Sequence, residues 1–249
     1  AIVSAAREIG WNVAVIGVPK TIDNDIPGIE RSFGFETAVQ ESVRAITSGH
    51  IEAHDFPWGV AVIRLMGRDS GFIAAAATVA SGDVNFCLVP EVDFDLDGEG
   101  GLFDLLERRL RHRGHAVIVV AEGAGKRLLP PEGDRDIGLF LRDAVRQGLR
   151  ARGIEPSMKY IDPSYMIRSV PANADDSVFC QELAAGAVHA AMSGRTSMMV
   201  GYAGGFIVHL PLHKPAEPRR LLDPEGPLWR AVLESTGQPK RIGRARHDV

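Results

Sequence analysis

Five short apolar runs constrain the fold of this chain more than any other feature: residues 13–18, 60–65, 85–89, 116–121 and 197–200. Near-continuous Val, Ile and Leu residues are what a strand needs when both faces of its sheet are covered. Between the runs lie segments of helical period. Residues 37–48 set Val39, Val43 and Ile46 on one side, and residues 102–110 pair Leu102, Leu105, Leu106 and Leu110 with charged neighbours. Residues 139–150 repeat that pattern. Residues 72–80 are alanine-rich, with Asp69-Ser70 as the expected cap. Residues 2–9 read as a helix, and Asp175-Asp176-Ser177 opens another that runs to Met192 and stops at Ser193-Gly194. Strands alternating with helices define an α/β fold with a mostly parallel sheet. Ligands of such sheets bind at the carboxyl ends of the strands.

The chemistry-bearing residues fall largely at those ends. Lys20-Thr21-Ile22-Asp23-Asn24-Asp25 stands directly after the first run. Two carboxylates, a hydroxyl and a lysine within six residues suit phosphoryl transfer. An aspartate takes a proton from an alcohol, and a cation steadies phosphate charge. With one residue between them, Asp23 and Asp25 share a side if the backbone is extended. One can then act as base while the other orients it or holds a magnesium-bound water. An Asp/Asn-rich turn before Pro27 explains the same spacing without chemistry. Met66-Gly67-Arg68-Asp69-Ser70-Gly71 follows the second run and precedes a helix. Its glycine allows close backbone approach, its arginine offers a planar fork to phosphate, and the helix start adds amide donors. A plain strand–turn–helix junction reads the same way. Glu122 follows the fourth run beside glycines, where a carboxylate suits sugar hydroxyls; an exposed loop glutamate is the plainer reading. In residues 160–168, Arg168 can clamp a phosphate with Tyr165 beside it, or be a solvated arginine on a strand edge.

Other patterns carry less. Gly123-Ala124-Gly125-Lys126 is neither a P-loop nor a full dinucleotide fingerprint. Asp93-Phe94-Asp95-Leu96-Asp97-Gly98 opens like a calcium loop, but Asp104 stands where glutamate is expected and a strand precedes it, so a solvated acidic loop fits better. His209 and His213 are separated by a proline and share no helix face. Residues 126–136 read as a surface loop, and the polar, basic tail from Gln238, with Lys240, Arg241, Arg244 and Arg246, as a solvated, disordered terminus. A net charge of −4 argues against a general nucleic-acid surface, and no apolar run approaches the roughly 20 residues of a membrane helix. No secretory signal is visible. Cys87 and Cys180 read as buried thiols of a reducing cytoplasm.

The segment GVPKTIDNDI at residues 17–26, Met66-Gly67-Arg68, the HAVIVVAEGAG run at 115–125 and residues 160–168 occur in one order. Together they resemble the phosphofructokinases, in particular the group typified by the plant ATP-dependent members, over about residues 13–239. The resemblance implies a fold of Rossmann-like parallel sheets with flanking helices. Residues 1–49 and 174–212 would lie on the nucleotide side, and 50–173 and 213–249 on the sugar-phosphate side. It implies transfer of a phosphoryl group to the C1 hydroxyl of fructose 6-phosphate, a glycolytic step, with Asp23 as general base. Thr21, Ile22, Asp25, Met66, Gly67, Arg68, Glu122, Tyr165, Met166, Ile167 and Arg168 would bind the sugar phosphate. Lys20 would lie near the transferred phosphoryl group and Asp25 would touch the metal indirectly. The expected cofactors are Mg2+ and ATP, with pyrophosphate as the alternative donor, since Lys20 occurs in both groups. The expected assembly is a cytoplasmic homo-oligomer. The family's glycine-rich nucleotide segment precedes the TIDND run, so the chain reads as beginning inside an α/β domain. A sugar-phosphate-binding subunit without catalysis is the rival from another class.

Overall fold

The computed structural model describes residues 2–130, 136–212 and 218–244. In chain order its elements are α1 (Ile2–Glu8), β1 (Ile16–Gly17), α2 (Phe35–His54), β2 (Gly59–Leu65), α3 (Phe72–Ser81), β3 (Phe86–Leu88), α4 (Leu102–Arg113) and β4 (His115–Ala121). There follow a 3-10 turn (Lys126–Leu128), α5 (Ile137–Arg150), β5 (Ser157–Ile161), α6 (Ser164–Ser169), α7 (Ala174–Met192), β6 (Met198–Ala203), β7 (Phe206–Pro211) and α8 (Pro227–Thr236). They form two compact units, Ala1–Thr37 with Pro171–Arg220, and Ala38–Val170 with Leu221–Val249. The first division falls between Thr37 and Ala38, inside α2, rather than after residue 49. The cause is local. The amides of Gly34 and Thr37 donate to the buried Asp176 of α7, which ties the start of α2 to the smaller unit.

The larger unit is a four-stranded parallel sheet in the order β3-β4-β2-β5. The pairing of β2 with β4 runs from Gly59 opposite His115 to Leu65 opposite Ala121, so the two strands end level. Alternation divides their side chains between two covered faces. Val60, Val62, Ala116, Ile118 and Val120 join Leu102, Leu106 and Leu110 of α4 and Ile137, Leu141 and Val145 of α5 in one core. Ala61 and Ile63 face the other way, where Gly49 of α2 passes so close that a Cβ there would stand 3.0 Å from Ile63. Both faces are covered, which is why these strands read as unbroken apolar runs.

In the smaller unit β1, β6 and β7 form a sheet in that order. β1 and β6 are parallel, and β6 and β7 antiparallel, a hairpin not expected from the sequence. The 13–18 run shortens to the two residues Ile16 and Gly17. Val13 is 42% and Val18 49% exposed. Among the described residues β1 pairs with β6 alone. Phe179 and Leu183 of α7 pack on Val200 of β6 to make its small core.

Several other expectations change. The N-cap of the helix after Asp69-Ser70 is Gly71, whose amide donates to Glu91. The cap of α7 is Asn173, accepting from the Asp176 amide. The stretch read as a solvated tail is packed as far as Arg244. The Gln238 amide group bonds both the N–H and the C=O of Cys87 on β3, and Ile242 is buried. Cys87 is buried, but Cys180 stands exposed on α7. Burial pushes the Cys87 thiol up to about 12, against a hydrogen bond from Thr78 that lowers it. Residues 131–135 of the expected surface loop, His213 and Arg246 lie outside the described residues.

Candidate functional site

The level ends of β2 and β4 put the Met66-Gly67-Arg68 turn beside Glu122. One carboxylate oxygen of Glu122 accepts from the amides of Gly67 at 3.3 Å and Arg68 at 2.7 Å. The turn is tight. Gly67 has φ 139° and Arg68 φ 50°, both positive. A Cβ on Gly67 would lie 2.5 Å from the Ser70 carbonyl, and one on Gly123 only 1.8 Å from the Arg68 carbonyl. Two glycines therefore let the strand ends close on each other, and a non-glycine residue held left-handed stores strain of order 1 kcal/mol or more that Glu122 helps to retain. Arg68 is exposed, Met66 half-buried, and Lys126 forms an ion pair with Asp69 across the turn.

The other oxygen of Glu122 accepts from Arg64 Nη2 at 3.2 Å. Arg64 is the one cation within β2, and three carboxylates surround it: Glu122, Asp162 at 2.6 Å and Asp136 at 3.6 Å. Burial alone pulls the Arg64 guanidinium toward neutrality, and the three carboxylates outweigh it and hold the charge more firmly than usual. Burial likewise pushes Asp162 up, but hydrogen bonds from Ser164 and the charge of Arg64 leave it below the ordinary carboxylate range. Asp136 caps α5 through the amides of Gly138 and Leu139 and also accepts from the Tyr160 hydroxyl at 3.2 Å. The Tyr160 hydroxyl is driven well above its usual range, first by burial and then by Asp136 and Asp162. Arg64 was not singled out by sequence reasoning. The signal was present: a cation inside an otherwise buried run must find partners.

Arg168 and Tyr165 do not sit on a strand edge. They belong to α6, one turn apart, because Pro163 and the Asp162 side chain start a helix where a strand would have to continue. The Arg168 guanidinium lies 5.5 Å from the centre of the Tyr165 ring, and its Nε donates to the Ser164 carbonyl at 3.2 Å. Tyr165 is 83% and Met166 59% exposed, whereas Ile167 is 4% exposed and anchors the helix.

In the smaller unit, Lys20-Thr21-Ile22-Asp23-Asn24-Asp25 leaves β1 as a compact loop. Asp23, Asn24 and Asp25 are buried at 6%, 6% and 5% exposure, while Lys20 is exposed. The expected extended backbone is absent. Asn24 has φ 56°, and its side chain holds the loop by accepting from the Ser32 amide and donating to the Glu30 carbonyl. Asparagine tolerates this conformation and bonds nearby backbone, which is why it stands between the two aspartates. The Thr21 hydroxyl accepts from the Asp23 amide at 3.2 Å. Asp25 is ion-paired to Arg219 at 2.5 Å, and its carbonyl accepts from the Arg220 amide. A metal finds no such donor set: among the described residues no group of three His, Cys, Asp or Glu side chains converges to hold one.

The acidic loop of Asp93, Asp95 and Asp97 is neutralised by arginines: Arg127 reaches Asp93 and Asp95, and Arg152 reaches Asp97. His209 lies against Arg195.

A parallel four-stranded sheet under helices in the larger unit and a mixed three-stranded sheet in the smaller, with acidic and cationic side chains after the strand ends, define an α/β protein. Residues 2–191 match the Phosphofructokinase family, and the chain belongs to it. It is 46% identical over 243 residues to the ATP-dependent 6-phosphofructokinase of Borreliella burgdorferi, covering 91% of this chain and 54% of that protein. It is 46% identical to ATP-dependent 6-phosphofructokinase 7 of Arabidopsis thaliana, covering 93% of this chain and 50% of the relative. The chain thus spans about half the length of the curated relatives it matches. Among solved structures, the pyrophosphate-dependent phosphofructokinase from Marinobacter aquaeolei superimposes with a TM-score of 0.72 at 20% identity, over 99% of this chain and 66% of that one. At that identity the likeness shows the fold alone. No helix among the described residues is long and apolar enough to cross a membrane.

Proposed function

We propose that this chain is the sugar-phosphate-binding and base-bearing part of an ATP-dependent 6-phosphofructokinase, which transfers the γ-phosphoryl group of ATP to the C1 hydroxyl of fructose 6-phosphate. The observation that carries the reading is identity of 46% to relatives so named across nine-tenths of the chain. Asp23 takes the proton of the C1 hydroxyl as that oxygen attacks. The transition state of such a transfer is loose, so proton removal can lag, and an aspartate of ordinary basicity suffices. Positioning and charge stabilisation then supply most of the rate. Arg68 and Arg168 bind the 6-phosphate, with the exposed Tyr165 hydroxyl as a further donor and Met66, Met166 and Thr21 shaping the surroundings. Asp25, oriented by Arg219, keeps the Asp23 loop in register. A carboxylate has about four lone-pair sites, and Glu122 uses three of them on Gly67, Arg68 and Arg64. One remains for a sugar hydroxyl. Lys20, exposed after β1, meets the transferred group. Mg2+ would neutralise phosphate charge when bound with ATP, with Asp25 reaching it indirectly.

The test is a coupled assay of the intact protein, as a homo-oligomer in solution, with fructose 6-phosphate and either ATP or pyrophosphate. Formation of fructose 1,6-bisphosphate with ATP and not with pyrophosphate supports the reading. Turnover with neither donor, while fructose 6-phosphate still binds, would favour a sugar-phosphate-binding subunit instead.

A further inference from the structure

Two separate segments carry the arginines assigned to the sugar phosphate, and a phosphate clamp works only if their spacing is held to within a fraction of an ångström. Arg64 lies on β2, the strand between β4 and β5. Glu122 follows the end of β4, and Asp162 follows the end of β5. Each of these carboxylates turns one oxygen to Arg64 and the other to the backbone of a ligand-bearing segment. Glu122 accepts from Arg64 Nη2 at 3.2 Å and from the Arg68 amide at 2.7 Å. Asp162 accepts from Arg64 Nη1 at 2.6 Å and from the Ser164 amide, at the start of α6, at 3.0 Å. The third nitrogen, Nε, lies 3.6 Å from the carboxylate of Asp136, the cap of α5, an ion-pair distance rather than a hydrogen bond.

We infer that Arg64 is a positioning residue for the sugar phosphate: one planar guanidinium sets the distance between the Met66-Gly67-Arg68 turn and the helix bearing Tyr165 and Arg168, through Glu122 on one side and Asp162 on the other. This rests on the phosphate-binding role proposed for Arg68 and Arg168. The divergent donors of an arginine fork suit it, since each nitrogen addresses a different carboxylate. A lysine in its place keeps the charge but offers one small head that cannot hold all three at once. The arrangement also keeps three carboxylates from presenting unshielded negative charge beside a phosphate dianion. The Arg64 side chain is 20% exposed, against 22% for Glu122 and 31% for Asp162, so solvent screens these contacts only in part.

The experiment compares Arg64→Met and Arg64→Lys with wild type in the intact protein, reading kcat, KM for fructose 6-phosphate and KM for ATP separately. The expected result is a KM for fructose 6-phosphate raised on the order of tenfold in both variants, with kcat within about threefold and KM for ATP unchanged. Full rescue by Arg64→Lys would mean that charge alone matters, and an unchanged KM for fructose 6-phosphate in both would reduce Arg64 to a structural ion pair; either overturns the inference. If Arg64→Met does not fold, Asp162→Asn severs the α6 arm alone and must raise the same KM; no rise overturns the inference. Arg68→Ala and Arg168→Ala run in parallel. If these leave the KM for fructose 6-phosphate unchanged, the phosphate-binding role itself falls. If they raise it and the Arg64 variants do not, only the positioning inference falls.

Discussion

In the four-stranded sheet, β2 and β4 bury every residue except Arg64 and His115, whereas β1 of the three-stranded sheet is two half-buried residues flanked by an exposed Val13 and Val18. The two regions hold their functional side chains by different means. At the ends of β2 and β4, close packing on both faces sets the backbone, and the site needs only glycines to let the turn and strand end approach. Around Asp23 there is little apolar burial to lean on. Shape there comes from directed polar contacts: Asn24 across its loop, Arg219 and Arg220 on Asp25, and the buried Asp176 on Gly34 and Thr37. A packed region is damaged by adding atoms, and a hydrogen-bonded one by removing an acceptor.

Adding one methyl group gives the largest effect expected. Gly123→Ala drives a Cβ to within 1.8 Å of the Arg68 carbonyl, and backbone cannot yield as a side-chain tip can. The loss of stability should be about 3 kcal/mol, read from the urea midpoint, together with weakened fructose 6-phosphate binding. A variant as stable as wild type would show that the turn adjusts freely.

The matching change in the smaller unit removes an acceptor. Asp176 is fully buried and accepts from the Gly34 amide and from the amide and hydroxyl of Thr37, at 3.0, 2.7 and 2.6 Å. Asp176→Asn sets an amide NH2 against one of those donors and should cost about 2 kcal/mol. Its exposed neighbour supplies the control: Asp175→Asn should change the urea midpoint by less than about 0.5 kcal/mol equivalent. Equal effects at the two positions would contradict the hub role.

The smallest effect is in the pH dependence of the larger unit. Asp162 titrates below the ordinary carboxylate range when folded, because Ser164 and Arg64 outweigh burial. A depressed acid contributes stability that is present above its unfolded pKa of about 3.9 and is lost as pH falls through the folded value. Asp162→Asn should therefore flatten the decline of the urea midpoint below about pH 5, leaving a shallower acid limb than wild type. An identical limb in both proteins would show that Asp162 gains nothing from folding.

What could be read in advance follows the same division. β2, β4, α4 and α5 were legible because burial on both faces writes continuous apolar runs and regular helical stripes. β5 and β7 were missed because their residues, such as Lys159 and Tyr160, are only half-buried and carry no clean alternation. The six-residue α6 was missed because its start depends on Asp162 turning back on the Ser164 amide, which propensity over so short a stretch does not reveal. Met66-Gly67-Arg68 and Glu122 were legible as residue types after strands, and the register of β2 and β4 makes them neighbours. Arg64 was not, because its partners lie 58 and 98 residues away and only the sheet order brings them together. The extended geometry expected for Asp23 and Asp25 failed at one residue, the left-handed Asn24.

The proposed base is Asp23, a buried aspartate on a polar-braced loop. The most direct measurement of that role is the steady-state rate of Asp23→Asn in the intact protein with fructose 6-phosphate and ATP at saturation. With Asp23 as the base, kcat falls by on the order of 10² or more, with the KM for fructose 6-phosphate within about threefold of wild type. A kcat within a few-fold of wild type would contradict it.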